Sequence, residues 1–205
     1  MAKKKNFISV LITNFNKEKY IYKSLKSINS QSKFNNYEVI IFDDASTDGS
    51  VKIIKKFKKF RLIQKKNEKK KSPALNQING LFQAFKKSKG NIICLMDSDD
   101  LFKKNKLSQI DDFFKNNPKK RFVVNNPQVN FDINLKRVKV QNNLWPSIFP
   151  TSCISLRRHL FLEFINFSKK DFFPNLEIDA RMIIFAYHYH NDFNILKKKL
   201  TIYLK

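Results

Sequence analysis

Apolar residues follow two alternating rhythms along this chain: short unbroken runs, and longer stretches with an apolar residue at every third or fourth position. Phe7-Ile8-Ser9-Val10-Leu11-Ile12 is nearly continuous in apolar character, as a parallel strand buried on both faces requires. From Lys19 to Ser30, Tyr20, Ile21, Ser24, Leu25 and Ile28 recur at helical spacing with lysines opposite, which predicts a helix. Tyr37 to Phe42 reads as a second buried strand, and Ser50 to Phe60 as a helix with Val51, Ile54 and Phe57 inward. Arg61 to Gln64 is a short strand, and the lysine-rich segment Lys65 to Lys71 is a solvated loop without a periodic apolar face. Ser72-Pro73 supplies an N-cap and a proline at the first helical position. The helix that follows buries Leu75, Ile78, Leu81, Phe82 and Phe85, and Lys89-Gly90 stops it. Asn91 to Met96 is the most strongly marked central strand.

Beyond it the pattern predicts a helix over Leu107 to Phe114 and a strand over Arg121 to Asn125. Short β-like pieces run from Pro127 to Pro150, Ile178 to Tyr189 reads as helix, and Phe193 to Tyr203 as a strand pair or a strand with a turn. Strands alternating with helices imply an α/β fold, a mainly parallel, doubly wound sheet flanked by helices, with a less regular C-terminal region. A chain of 205 residues suits one such domain, 1–205.

Composition changes this picture in one respect. Forty-one Lys and Arg against 17 Asp and Glu give a net charge of +24, which attracts phosphates, nucleic acid or anionic lipid. The basic residues are mostly lysine among many Asn, Ile and Phe, a pattern that codon usage in a low-G+C genome also produces. No helix-turn-helix, zinc-finger or RNA-binding signature accompanies the charge, so nucleic acid is not the expected partner. Cys94 and Cys153 lie in apolar surroundings without metal-ligand spacing and read as buried free thiols in a reducing cytosol. The N-terminal apolar run is a strand, not a signal peptide, and no apolar stretch approaches the roughly 20 residues that span a bilayer. Membrane contact would therefore be peripheral, at an anionic inner face.

The chemistry sits at strand ends. The second strand runs into Asp43-Asp44-Ala45-Ser46-Thr47-Asp48-Gly49-Ser50, and the central strand into Asp97-Ser98-Asp99-Asp100. In a doubly wound sheet, ligands bind outside the carboxyl ends of the strands, so these clusters should meet in one crevice. Asp97 and Asp99 flank a single residue in a turn and can face the same small volume. A hard divalent ion, Mn²⁺ or Mg²⁺, takes one or two such carboxylates together with substrate phosphates. Asp48 reads as a cap or turn residue, and Asp43 is divided between turn closure and chemistry.

Ile8 to Asn16, Glu38 to Ser50 and Leu95 to Asp100 resemble, in order and spacing, the family 2 glycosyltransferases of the GT-A fold, nucleotide-sugar-dependent enzymes. The resemblance runs from about Ile8 to Pro118, including Asn105-Lys106-Leu107, and implies a nucleotide-sugar-binding half over 1–118 and an acceptor half over 119–205. It implies that Thr13, Phe15 and Asn16 line the nucleotide end of the donor pocket and that Asp44 accepts a hydrogen bond from the base, usually uracil. Asn76 and Gly80 fall on the family's donor-side helix. Asp97 and Ser98 would contact the donor, and Asp97, Asp99 and Asp100 would serve the metal. The chain departs from the family in Thr13 for the usual Pro, Phe15 for the usual Tyr and Leu75 for a frequent Arg. The family's catalytic carboxylate finds its counterpart in Leu176-Glu177-Ile178-Asp179-Ala180-Arg181, with Asp179 the first candidate and Glu177 the second. The implied reaction is an inverting transfer from a UDP-sugar to a glycan or lipid-linked hydroxyl in cell-surface polysaccharide synthesis. A nucleotide-sugar-binding module without transfer activity, or a basic nucleic-acid binder, is the competing reading.

The remaining candidates are weaker in pattern. His188 and His190 are two apart and would diverge on a helix, which argues against a shared metal. Arg157-Arg158-His159 is a basic trio that could contact diphosphate, and Trp145 with Phe149 could stack on a sugar or pack a loop.

Overall fold

A computed structural model describes residues 5–65, 72–129, 146–168 and 173–204. Its first half follows the apolar runs closely. Strand β1 is Ile8–Asn14, helix α1 Glu18–Asn29, β2 Tyr37–Asp43, α2 Ser50–Ile54, β3 Arg61–Gln64, α3 Pro73–Lys86 and β4 Ile92–Asp97. Then come a two-residue β5 (Leu101–Phe102), α4 (Lys106–Asn116), β6 (Phe122–Val129), β7 (Ile154–Arg157), α5 (Arg158–Ser168), α6 (Ile178–Ile184) and β8 (Ile195–Tyr203).

The strands form one sheet in the order β3-β2-β1-β4-β7-β6-β8-β5. β3, β2, β1 and β4 run parallel, and β7 turns against both β4 and β6. β8 then runs parallel to β6 and antiparallel to β5, so the sheet is parallel where the acidic turns leave it and mixed beyond. Alternate residues of β1 face two apolar layers. Ile8, Val10 and Ile12 pack with Ile21, Leu25 and Ile28 of α1 and with Leu107, Ile110 and Phe114 of α4. Leu11 packs on the other side with Leu81 and Phe85 of α3, Phe161 of α5 and Met182 of α6. β1 is buried on both faces, which is why it reads as an apolar run without alternation.

Several boundaries differ from the pattern. The helix expected over Ser50 to Phe60 ends at Ile54, and Lys56 and Phe57 donate instead to Ile53 and Ile54, the tighter three-residue spacing. Lys52, Lys55, Lys56 and Lys59 would crowd like charges three and four apart on a continued helix, and Phe57 and Phe60 stack on each other at 5.4 Å. Phe193 to Tyr203 contains a single strand, β8, whose register against β6 shifts twice around Asn126. Pro127 has no N–H to give a ladder there. The segment between Ile154 and Ser168, not read from the pattern, holds β7 and α5. Residues 66–71 of the expected lysine loop lie outside the described residues.

Candidate active site

Register decides which side chains meet. Asn14 at the end of β1 lies beside Asp43 at the end of β2, and Thr13 lies beside Asp97 at the end of β4. Phe15, Lys17, Asp44, Ser98 and Asp99, which follow these strands, leave the sheet at one edge and surround a cavity of about 830 Å³. Asn76 and Gln77 of α3, Thr151, Glu177 and Asp179 around the start of α6, and Tyr203 and Leu204 at the end of β8 complete much of its wall.

The loop after β2 is built around Asp43, not Asp44. The Asp43 carboxylate is buried and accepts from Asn14 Nδ2 at 2.8 Å, Ser46 Oγ at 2.7 Å and the Ser46 N–H at 2.9 Å. That closure fixes Ala45 at φ 60°, a left-handed conformation uncommon for a side-chain-bearing residue. Asp43 is therefore the structural carboxylate of the pair. Asp44 projects to the cavity and pairs with Lys65 Nζ at 3.0 Å, both side chains being largely buried. Asp48 caps as expected, accepting from the N–H groups of Glu18 and Ser50 at 2.9 Å each, and these bonds hold its carboxyl below the usual range despite some burial.

Thr13 and Phe15 line the cavity, and Phe15 is 40% exposed. Asn16, expected on the lining, is not part of it: at φ 50° its Oδ1 accepts from the Thr47 N–H at 2.8 Å, so it ties the first turn to the second. Asn76 lines the wall from α3. Gly80, one turn on, is where α3 crosses the sheet: a Cβ there would stand 2.8 Å from the Phe42 ring and 2.9 Å from the Thr13 methyl.

The turn after β4 presents its acids unequally. Asp97 Oδ1 accepts from Gln77 Nε2 at 2.7 Å, and its N–H donates to Ser152 Oγ at 2.8 Å. Burial, and then the charges of Asp100, Asp99 and Asp179, push the Asp97 carboxyl well above its ordinary value, against the pull of a hydrogen bond with Thr151. Asp99 faces the cavity and pairs with Lys17 Nζ at 2.6 Å. Ser98 is buried on the wall. Asp100 is fully buried behind it, one oxygen accepting from the Leu204 N–H at 3.1 Å, and burial lifts its pKa to about 6. Glu177 and Asp179 reach the opposite wall, where burial raises the Asp179 carboxyl above its ordinary value despite the N–H of Ala180.

A divalent cation fits this donor set in part. Asp97, raised first by burial and then by the neighbouring carboxylates, and Asp99 both face the cavity. No cluster of three metal-ligating side chains occurs among the described residues, so other ligands would have to complete the coordination.

Other expected positions lie elsewhere. His159 and His188 are exposed, and His190 sits 3.4 Å from Glu163 and 3.1 Å from Arg121. Arg157 pairs with Ile92, the first residue of β4, at the sheet edge opposite Asp97, and Arg158 donates to Ser88 and Gly90. That placement removes the basic trio from any diphosphate in the cavity. Phe149 packs on Phe193 as part of the core margin, and Trp145 lies outside the described residues. Lys17, Lys65, Gln77 and Thr151 do not stand out in the sequence pattern. Lys17 and Gln77 each follow directly on a residue that does.

A family model described as glycosyl transferase family 2 matches residues 9–178. The chain is 36% identical over 110 residues to an uncharacterized glycosyltransferase of Rickettsia bellii, a match covering 54% of this chain and 15% of that protein. It is 38% identical over 101 residues to the E. coli UDP-Glc:alpha-D-GlcNAc-diphosphoundecaprenol beta-1,3-glucosyltransferase WfaP, covering 49% of this chain and 38% of that protein. The matched stretch is thus less than half the length of these relatives. Among solved structures, S. aureus TarS 1-349 in complex with UDP-GlcNAc superposes with a TM-score of 0.72 at 20% identity, over 97% of this chain and 58% of that one. The mannosyltransferase PcManGT from Pyrobaculum calidifontis, in complex with GDP-Man and Mn²⁺, superposes at 0.73 and 16% identity, over 97% and 57%.

Proposed function

The chain belongs to glycosyl transferase family 2 and has the GT-A fold, and on that premise we propose that it moves a sugar from a nucleoside-diphosphate sugar, a UDP-sugar first, to an acceptor hydroxyl. The observation that carries this reading is the meeting of Asp44, Asp97 and Asp99 with Thr13 and Phe15 around one cavity at the carboxyl ends of parallel strands. Asp44 accepts from the imide N–H of the base, and the exposed Phe15 ring covers a face of it. The diphosphate lies toward Asp97 and Asp99, with Gln77 and Thr151 holding Asp97 in place.

Transfer proceeds with inversion. Asp179 takes the proton of the acceptor hydroxyl as its oxygen bonds to the anomeric carbon, and the bond to the diphosphate breaks with its electron pair leaving on the phosphate oxygen. Burial suits Asp179 to this, since a carboxyl held above its ordinary pKa is the stronger base. Glu177 is the alternative base on the same wall. Asp99 and Asp97 would hold a divalent cation together with the diphosphate, and such an ion would supply positive charge for the departing oxygens.

The acceptor is a glycan or lipid-linked sugar of a cell-surface polysaccharide, in keeping with the name of the WfaP relative. The reaction is set in the cytoplasm, which the two buried free thiols support, with peripheral contact to an anionic membrane through the basic surface. No helix among the described residues is long and apolar enough to cross a membrane.

A panel of nucleotide-sugars, each with Mn²⁺, Mg²⁺ or EDTA, tests the reading by thermal shift, because a ligand that binds only the folded state raises the melting temperature. A UDP-sugar with metal should give the largest shift. If no nucleotide-sugar shifts the transition and calorimetry detects no nucleotide, the reading fails.

A further inference from the structure

The wall of the cavity inverts the charge of the protein. The whole chain carries 41 Lys and Arg, yet among the described residues lining the cavity there are five carboxylates, Asp44, Asp97, Asp99, Glu177 and Asp179, and a single cationic side chain, Lys17. A diphosphate, itself strongly anionic, meets a wall that repels it almost everywhere. Lys65 sits against Asp44, not on the lining, and Arg158 is committed to Ser88 and Gly90 at the other edge of the sheet.

The surroundings of Lys17 fix its backbone and leave its amine to Asp99. Its N–H donates to Ser50 Oγ at 3.0 Å, and its carbonyl accepts from Tyr20 and Ile21 at 2.9 Å each, at the entry to α1. The side chain remains 39% exposed, with Nζ 2.6 Å from Asp99 Oδ2. A compact ammonium on a flexible four-carbon stem can change partner without moving the chain.

We propose that Lys17 is the diphosphate-binding cation of this site, resting on Asp99 when the donor is absent and transferring its hydrogen bond to a phosphate oxygen when the donor binds. Resting on Asp99, it also competes with a divalent ion for that carboxylate. The proposal builds on the nucleotide-sugar reading above.

Calorimetry on the full chain with uridine, UDP and GDP, each in EDTA and in Mn²⁺, and with Mn²⁺ alone, tests it in wild type, Lys17→Met and Lys17→Arg. A lost charge-assisted hydrogen bond should weaken UDP binding about 10- to 100-fold in Lys17→Met. Uridine affinity should be unchanged, because the base contacts lie elsewhere, and Lys17→Arg should recover most of the UDP affinity. Mn²⁺ alone should bind Lys17→Met more tightly than wild type, because Asp99 has lost its competitor. Unchanged UDP affinity in Lys17→Met would overturn the proposal. So would an equal loss for uridine and UDP, which marks a merely structural lysine. A wild type that binds UDP, but no better than uridine in EDTA, overturns Lys17's role and leaves the nucleotide reading intact. A wild type that binds uridine, UDP and GDP in neither EDTA nor Mn²⁺ overturns both.

Discussion

Lys106→Met should give a protein whose stability no longer climbs with pH in the alkaline range. Lys106, the first residue of α4, is fully buried, and its ammonium donates to the Ser152 carbonyl and to Thr201 Oγ1 at 2.8 Å while lying 4.0 Å from the centre of the Phe102 ring. Burial lowers its pKa from 10.5 to about 8, overriding the help of Cys153, Cys94 and Asp100. The unfolded chain keeps the ordinary value. Between about pH 8 and 10.5 the unfolded state therefore holds a proton that the folded state has released, and stability rises with pH. The full rise is about 3 kcal/mol, because each tenfold loss of proton affinity on folding corresponds to about 1.4 kcal/mol. Methionine is of similar length and cannot titrate, so its curve lacks the rise. At neutral pH the variant loses two hydrogen bonds and a ring contact but no longer buries a charge, and Thr201 Oγ1 still serves the Ser152 carbonyl at 3.0 Å. A net loss of about 1–2 kcal/mol is expected there. Urea unfolding of both proteins from about pH 7 to 10.5 measures the difference curve. Parallel curves would show that Lys106 does not titrate early in the folded state, and the reasoning would be wrong.

Three further outcomes follow from the site. Asp44→Ala should weaken uridine and UDP alike and also cost about 2–3 kcal/mol of stability, since it strands the largely buried Lys65; adding Lys65→Met should restore part of the stability but not the binding, as unfolding and calorimetry would show. Gly80→Ala should destabilise by about 1–3 kcal/mol, because the new methyl meets Phe42 and Thr13 closer than 3.0 Å, and UDP affinity should fall as α3 carries Asn76 and Gln77 away; a melting temperature at or above wild type would mean that α3 yields without strain. Asp179→Asn should abolish transfer with donor affinity unchanged, and near neutral pH it should be at least as stable as wild type, because a carboxyl whose folded pKa is raised costs stability once ionised; wild-type turnover would pass the role to Glu177.

What the sequence disclosed and what it concealed divide along a physical line. Strands buried on both faces must be apolar throughout, so β1, β2 and β4 announce themselves, and the polar residue that ends each run marks the ligand edge. Asp44, Asp97 and Asp99 were legible for that reason, and so was the crevice they share. Pairings across the fold leave no such periodic trace. Lys17 lies 82 residues from Asp99, and nothing in the lysine-rich composition separates it, or Lys106, from the many solvated lysines. β7 leaves no separate trace because it runs directly into α5 at Arg158 with no turn residue between, and Tyr203 and Leu204 reach the cavity through the pairing of β8 with β6 and β5.

The weakly patterned second half is nevertheless held to the first by polar contacts at the point where chemistry needs it. Arg181 of α6 is buried and donates to the carbonyls of Leu176, at 2.6 Å, and of Phe173, so the turn before the helix is closed onto it. Ser72 Oγ, the cap of α3, donates to the Pro174 carbonyl at 2.5 Å while accepting from the Leu75 N–H at 3.3 Å. One hydroxyl thus joins the start of the helix bearing Asn76 and Gln77 to the turn that leads into Glu177 and Asp179. Any shift of α3 on the sheet, at Gly80 for example, carries the donor wall and the candidate base together. This contact and the packing of Met182 with Leu81 and Phe85 together set the distance between them. Glu177 and Asp179 are in this way tied to the wall that carries Asn76 and Gln77, on the cavity they share with Asp97 and Asp99.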